Sequence, residues 1–157
     1  MGKATAEAMR DDTLAITTRA ATALQQRVRK ALSEHGFDDV NAAQLAILAA
    51  VEADEGITST GLSRVVRYEK STLTPLLDKL EKAELIARAR DPKDGRQQRI
   101  HITKKGRRRR REAEAVLSQL SSSLFGELPR KVLKHHRAFC EAVLDGALDP
   151  SAVDDND

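Results

Sequence analysis

The stretch Ser71–Thr103, STLTPLLDKLEKAELIARARDPKDGRQQRIHIT, decides the fold, because its hydrophobic period changes twice. Leu73, Leu76, Leu77 and Leu80 fall at i, i+3, i+4 and i+7, one apolar face of a helix. The opposite face carries Thr72, Thr74, Asp78, Lys79 and Lys82. Beyond Leu85 and Ile86 the period shortens towards two. Arg88 and Arg90 alternate with smaller residues, and Ile100 and Ile102 alternate with Arg99, His101 and Thr103. Between these two strands lies Asp91-Pro92-Lys93-Asp94-Gly95-Arg96. This is turn chemistry: proline presets φ, aspartate bonds its own backbone and glycine takes positive φ.

Pro75 places the start of the helix. An internal proline costs a helix about 3 kcal/mol, but first-turn N–H groups have no helical partner. The helix is therefore predicted to begin near Ser71 to Thr74, with Lys70, Ser71, Thr72 and Thr74 pointing out from its positive end, suited to phosphate. A helix followed by a basic hairpin is the layout of a winged helix-turn-helix. Such a helix suits a DNA major groove, and the hairpin reaches the neighbouring minor groove.

Charge supports a polyanionic partner. Residues 88–111 hold twelve bases against Asp91 and Asp94, a net +10, whereas the rest of the chain is −7. Aromatics are only 3% of the chain, which argues against binding by base stacking. No apolar run approaches the roughly 18 residues of a membrane span, and the N-terminus lacks a signal-peptide core. The single cysteine, Cys140, excludes an intrachain disulfide and suits a reducing cytoplasm. The chain shows no Ser/His/Asp arrangement, no paired carboxylates and no phosphate-cradling glycine loop, so neither an enzyme nor a cofactor is expected.

Elsewhere the pattern is helical. Residues 1–10 and 148–157 are expected to be disordered tails. Leu14, Ala21, Leu24, Val28 and Leu32 predict a long helix from about Asp12, stopped at Gly36, whose narrow stripe suits an oligomer seam. Asn41 and Gln44 form a capping box before a helix buried through Leu45, Leu48 and Val51. Thr58 or Ser59 caps a short helix carrying Leu62, Val65 and Val66. After the hairpin, Ala113, Val116, Leu117, Leu120 and Leu124 line one helix. Pro129 opens the last, with Val132, Leu133, His136, Phe139, Cys140, Val143 and Leu144 on one side. The expected fold is mainly α with a small β-hairpin wing. A winged helix-turn-helix domain spans 41–105, and residues 12–36 and 107–147 form a helical dimerisation region.

Three stretches resemble the MarR family of transcriptional regulators: Val40-Asn41-Ala42-Ala43-Gln44, then Ser71–Glu81, then Asp91–Arg96 followed by Ile102-Thr103-Lys104-Lys105-Gly106. The last is the most specific, with an Asp-x-Arg at the wing tip and a Thr-x-x-Gly after the second strand. The resemblance covers about residues 12–147. It implies a two-fold homodimer, joined by the first and last two helices, that binds a near-palindromic operator on double-stranded DNA and usually represses. It also implies a small-molecule effector, often a phenolic or other aromatic acid. That ligand would sit among the first helix, the Asn41–Ala53 helix and the base of the fifth. The Thr-Leu-Thr-Pro-Leu-Leu run is most like the peroxide-sensing branch, but no cysteine precedes Cys140. Gly61 also departs from the family, standing where a helix former or glutamate is usual.

The expected DNA-binding residues follow. Lys70, Lys79, Arg88, Arg90, Lys93, Arg99 and part of the Arg107–Arg111 run neutralise phosphates. Ser71, Thr72, Thr74 and Lys70 read base edges. Arg96 enters the minor groove, with Asp94 orienting it. His136 and Cys140, at i and i+4, are two ligands of a zinc site at most, and a buried histidine and thiol explain them more simply. Two rivals stay open. One is a winged-helix module binding protein or DNA without operator specificity, and the other is a metal- or thiol-gated regulator using His136 and Cys140.

Overall fold

A computed structural model describes residues 3–92 and 97–145 of the chain. Its order is α1 (Lys3–Glu34), α2 (Ala42–Ala53), β1 (Ile57–Thr58), α3 (Ser59–Val66), α4 (Lys70–Lys82), β2 (Ile86–Arg90), β3 (Gln98–Ile102), α5 (Lys104–Phe125) and α6 (Arg130–Asp145). The six helices and small antiparallel sheet are the expected mainly α fold with a β wing. Two compact units result, residues 3–120 and residues 121–145.

The first unit is built on a leucine- and isoleucine-rich core. Ile47, Leu48, Val51, Leu62, Leu80, Leu85 and Ile100 are fully buried, and Leu32 of α1, Leu73 of α4 and Ala113 of α5 join them. At about 25 cal/mol per Å² of apolar surface, each such leucine or isoleucine contributes about 2 kcal/mol. The α2 cap forms as the sequence requires: Gln44 N donates to Asn41 Oδ1 at 2.9 Å, and Asn41 N donates to Gln44 Oε1 at 3.1 Å. Thr58 caps α3 by accepting from Gly61 N at 3.1 Å. Gly61 is explained by crowding, because a Cβ there would stand 3.1 Å from Ile57 Cγ1 and 3.3 Å from Thr58 Oγ1.

Three features differ from the sequence expectation. The first helix starts at Lys3, not near Asp12, because residues 3–11 contain only helix-compatible types with no proline or glycine to stop the helix. Its apolar side chains are buried only towards its end, with Leu32 2% and Leu14 70% exposed. Helix α4 starts at Lys70, so Pro75 lies in the second turn rather than the first. Proline supplies no N–H for the Ser71 carbonyl, and the adjacent Thr74 hydroxyl reinforces the turn by donating to Lys70 O at 2.9 Å. Finally, the hairpin is a three-stranded sheet of order β1-β3-β2. Ile57 pairs with Ile100 and Thr58 with Arg99, a strand too short to leave a periodic trace.

The joint between α4 and the wing rests on two residues. Glu84 takes a left-handed backbone, φ +61°, after α4, and Leu85 N closes back on Leu80 O at 2.9 Å. Thr103 opens α5 and ties it to that joint. Its hydroxyl donates to Glu84 O at 2.7 Å and accepts from Gly106 N at 2.9 Å, while its backbone N donates to Leu85 O at 3.1 Å. Gly106 is buried against the Leu85 carbonyl, where a Cβ would stand 2.0 Å from the oxygen. The spacing from Thr103 to Gly106 thus records a helix cap and a backbone contact, one turn apart.

In the second unit, α6 is amphipathic but leaves its apolar face uncovered. Val132, Phe139, Val143 and Leu144 are each more than 40% exposed.

Candidate nucleic-acid interface

Two helices meet through a left-handed turn at Arg67, φ +57°, and the Ser63 hydroxyl donates to Tyr68 O at 2.7 Å to hold it. This turn presents the first turn of α4 outward. Lys70, Ser71, Thr72 and Thr74 are all exposed there, while Leu73 and Leu77 turn into the core. Beside them the wing strands run antiparallel, with Arg88 opposite Ile100 and Arg90 opposite Gln98. Side chains alternate across a strand, so Arg88, Arg90 and Gln98 share the sheet face of the buried Ile86, Ile100 and Ile102. Lys70, Thr74, Ser59, Thr60, Arg88 and Gln98 line a cleft of about 490 Å³ between the helices and the wing.

The expected site residues fall into three groups. Lys70, Ser71, Thr72, Thr74, Lys79 and Arg90 are exposed, and no acid among the described residues pairs with Lys70, Lys79 or Arg90. Arg88 and Arg99 are instead bound within the chain. Arg88 Nη2 donates to Asp78 Oδ1 at 2.6 Å and its Nε lies 3.5 Å from Glu81 Oε2, with the side chain 18% exposed. Arg99 Nε donates to the buried Asp91 Oδ2 at 2.7 Å, and Nη1 donates to Gly56 O at 3.0 Å. Lys93, Asp94 and Arg96, the wing-tip residues, lie outside the described residues. The tail 148–157 does too.

Within the arginine run Arg107, Arg109 and Arg110 form an internal clamp, whereas the side chains of Arg108 and Arg111 stay 82% and 69% exposed. Arg107 pairs with Glu55, and Arg110 Nε donates to Glu52 Oε2 at 2.5 Å. Arg109 pairs with Asp39, donates to Gly36 O at 2.6 Å and sits 4.1 Å from the Phe37 ring centroid. Arg108 pairs with Glu112, and Arg111 stands 3.5 Å from Glu52. The clamp fastens the start of α5 to the α1–α2 turn and to the end of α2. Its effect on the acids is direct: hydrogen bonds from Arg109 and Arg110 hold the Asp39 and Glu52 carboxyls below their ordinary values. Asp39, Glu52 and Glu55 were the signal in the sequence, but their partners are far apart along the chain.

In the second unit, Cys140 Sγ lies 3.7 Å from His136 Nε2, and His136 stacks at a tilt on Phe125, centroids 6.2 Å apart. Among the described residues no group of three or more His, Cys, Asp or Glu side chains is placed to hold a metal ion. No helix of the described residues is long and apolar enough to cross a membrane.

An exposed helix start beside a three-stranded wing, reached through a tight helix–helix turn, defines a winged helix-turn-helix protein. Comparison with known proteins narrows this class. The MarR family profile matches residues 40–97. The regulator SarZ of Staphylococcus epidermidis is 38% identical over 81 residues, an alignment covering 52% of each chain. The chain thus spans about half the length of the curated relatives it matches. A crystal structure of CouR from Rhodococcus jostii RHA1 bound to p-coumaroyl-CoA superposes with TM-score 0.72 at 27% identity, covering 86% of this chain and 93% of that one. A MarR family transcriptional regulator from Rhodococcus sp. RHA1 gives TM-score 0.73 at 25% identity, covering 86% and 95%. The chain is thus similar to the MarR family in sequence over residues 40–97 and in fold over most of its length.

Proposed function

We propose that this chain is a cytoplasmic, homodimeric, sequence-specific DNA-binding transcriptional regulator, most simply a repressor, acting on a pseudo-palindromic operator. The observation that carries this reading is the exposed start of α4, with Lys70, Ser71, Thr72 and Thr74 side by side next to a basic wing. Hydroxyls there read base edges only weakly, because they serve several bases. Two copies on half-sites about 10 bp apart restore selectivity. Support for the second copy comes from apolar residues a single chain leaves in water: Leu14 and Ile16 of α1, and Val132, Phe139, Val143 and Leu144 of α6.

Phosphate neutralisation falls to Lys70, Lys79, Arg90 and Lys93, with Arg96 entering the minor groove and Asp94 orienting it. Release by a small aromatic or phenolic ligand fits the reading, with its site at the base of α5. The test is selection of bound duplexes from a random pool, with half-site spacing read from the enriched sequences. Enrichment of an inverted repeat supports the proposal. Equal affinity for random duplex would favour an architectural module instead. Arg96→Ala should then weaken operator binding markedly while leaving thermal stability almost unchanged, and unaltered binding would remove the wing from the interface.

A further inference from the structure

Arg88 stands in the DNA-facing cleft, yet its guanidinium is turned away from solvent and onto α4. The register explains why. Arg88 pairs with Ile100, so its side chain leaves β2 on the buried face, just past the point where the apolar core ends. There it meets Asp78 at 2.6 Å and Glu81 at 3.5 Å, successive positions on one side of α4. Thr74 lies one turn before Asp78 on the same helix, and Lys70 one turn before that, and both line the cleft with Gln98 of the wing. One ion pair therefore spans the gap between the base-reading turn and the wing.

We infer that Arg88 is a positioning residue for DNA recognition: it sets the separation of α4 and the wing by gripping Asp78, and does not itself neutralise a phosphate. The inference rests on the DNA-binding reading above and deepens it. Two physical arguments favour a grip over a contact. The guanidinium would have to break a bond to a carboxylate before meeting a phosphate, exchanging one charge-assisted bond for another with no net gain. Its withdrawal would also leave two carboxylates, Asp78 and Glu81, beside an approaching polyanion.

The two roles predict opposite signs for Asp78→Asn. If Arg88 contacted phosphate, removing its competing carboxylate would free it, and the variant would bind DNA more tightly. If Arg88 positions the wing, Asp78→Asn loosens the grip, and the preference for the selected duplex over random duplex falls. The experiment uses the full chain, a duplex enriched by the wild type and a random-sequence duplex of equal length. Affinities are measured over a salt series for Arg88→Ala, Asp78→Asn and the double variant, with melting temperatures alongside.

Positioning predicts that each single variant loses about tenfold in discrimination, with the double variant no worse than either single. It also predicts that the slope of log affinity against log salt is kept. A slope reduced by about one in Arg88→Ala, or tighter binding by Asp78→Asn, overturns it. Arg88→Lys guards against misfolding: it keeps the charge but replaces the planar guanidinium that meets Asp78 and Glu81 with a point ammonium, so partial loss of discrimination in a folded protein supports the grip. Full retention in that variant opposes it. Failure of the wild type to enrich any duplex would sink the DNA-binding reading itself, and this inference with it.

Discussion

Gly106→Ala sets two physical effects against each other, and their sizes decide the outcome. Gly106 lies in the first turn of α5, where alanine improves intrinsic helix propensity by about 1 kcal/mol. Propensity alone therefore predicts a more stable protein. The structure predicts the reverse. An added Cβ would stand 2.0 Å from the Leu85 carbonyl oxygen and 2.9 Å from Ile102 Cγ1, whereas ordinary contact begins at 3.4 Å. The oxygen belongs to the backbone and has no rotamer to escape into, so α5 and the Leu85 segment must part by about 1.4 Å.

Such a shift breaks the bonds from Thr103 Oγ1 to Glu84 O and from Thr103 N to Leu85 O, at about 1 kcal/mol each. Overpacking adds about 2 kcal/mol. Less the propensity gain, the net loss is about 3 kcal/mol, or about 9 °C in Tm for a chain of this size. Thermal and urea denaturation followed by circular dichroism would measure it. Gly61→Ala is the comparison, because its nearest neighbours, Ile57 Cγ1 at 3.1 Å and Thr58 Oγ1 at 3.3 Å, are side-chain atoms that need give only a few tenths of an ångström, and it should lose less than about 1 kcal/mol. A Gly106→Ala protein as stable as the wild type would show that the joint yields freely, and the reading of Thr103 and Gly106 as a rigid hinge pin would be wrong.

Glu84→Gly should raise the unfolding free energy by about 1 kcal/mol, seen as a higher urea midpoint, because it relieves a left-handed residue at φ +61° and loses only the exposed contact with Lys105. A lower midpoint would refute this. The depressed carboxyls of Glu52 and Asp39 contribute stability above their ordinary values of 4.5 and 3.8, and lose it as pH falls through their lowered folded values. Melting temperature should therefore drop between about pH 5 and about pH 3, and Glu52→Gln should be less stable at neutral pH with a flatter acid limb. Parallel curves for the two proteins would exclude Glu52 from the effect. If the proposed dimer is joined through the uncovered face of α6, Phe139→Glu should leave the chain folded and shift its solution mass from dimer to monomer in sedimentation; an unchanged mass would exclude that face as the seam.

What could be read from residues alone was local. Asn41 with Gln44 announces a cap three residues long, and Leu73, Leu77 and Leu80 announce a buried stripe, because cause and effect lie within one or two turns. The exposed hydroxyls at the start of α4 were legible for the same reason. Pairings over long separations were not. Five consecutive arginines read as a polyanion footprint until Glu52, Glu55 and Asp39 are brought against them by the packing of α2 and the α1–α2 turn. The ion pairs of Arg88 with Asp78 and of Arg99 with Asp91 were not legible either, because alternation shows which face a strand residue takes, not which acid the neighbouring helix or loop places there. Gly106 carries no periodic signal at all, since what selects it is the nearness of the distant Leu85 carbonyl, whereas Gly61 is crowded locally by Ile57 and its cap Thr58.

The internal pairing of the arginine run also bears on how two molecules meet. With Arg107, Arg109 and Arg110 matched at close range, their fields largely cancel, and cations without a paired acid among the described residues remain at Lys70 and Lys79 of α4 and Arg90 of β2. If DNA is the partner, as proposed above, a diffusing molecule so polarised is turned towards the duplex before touching it. Orientation is then settled in flight, so that fewer collisions are wasted.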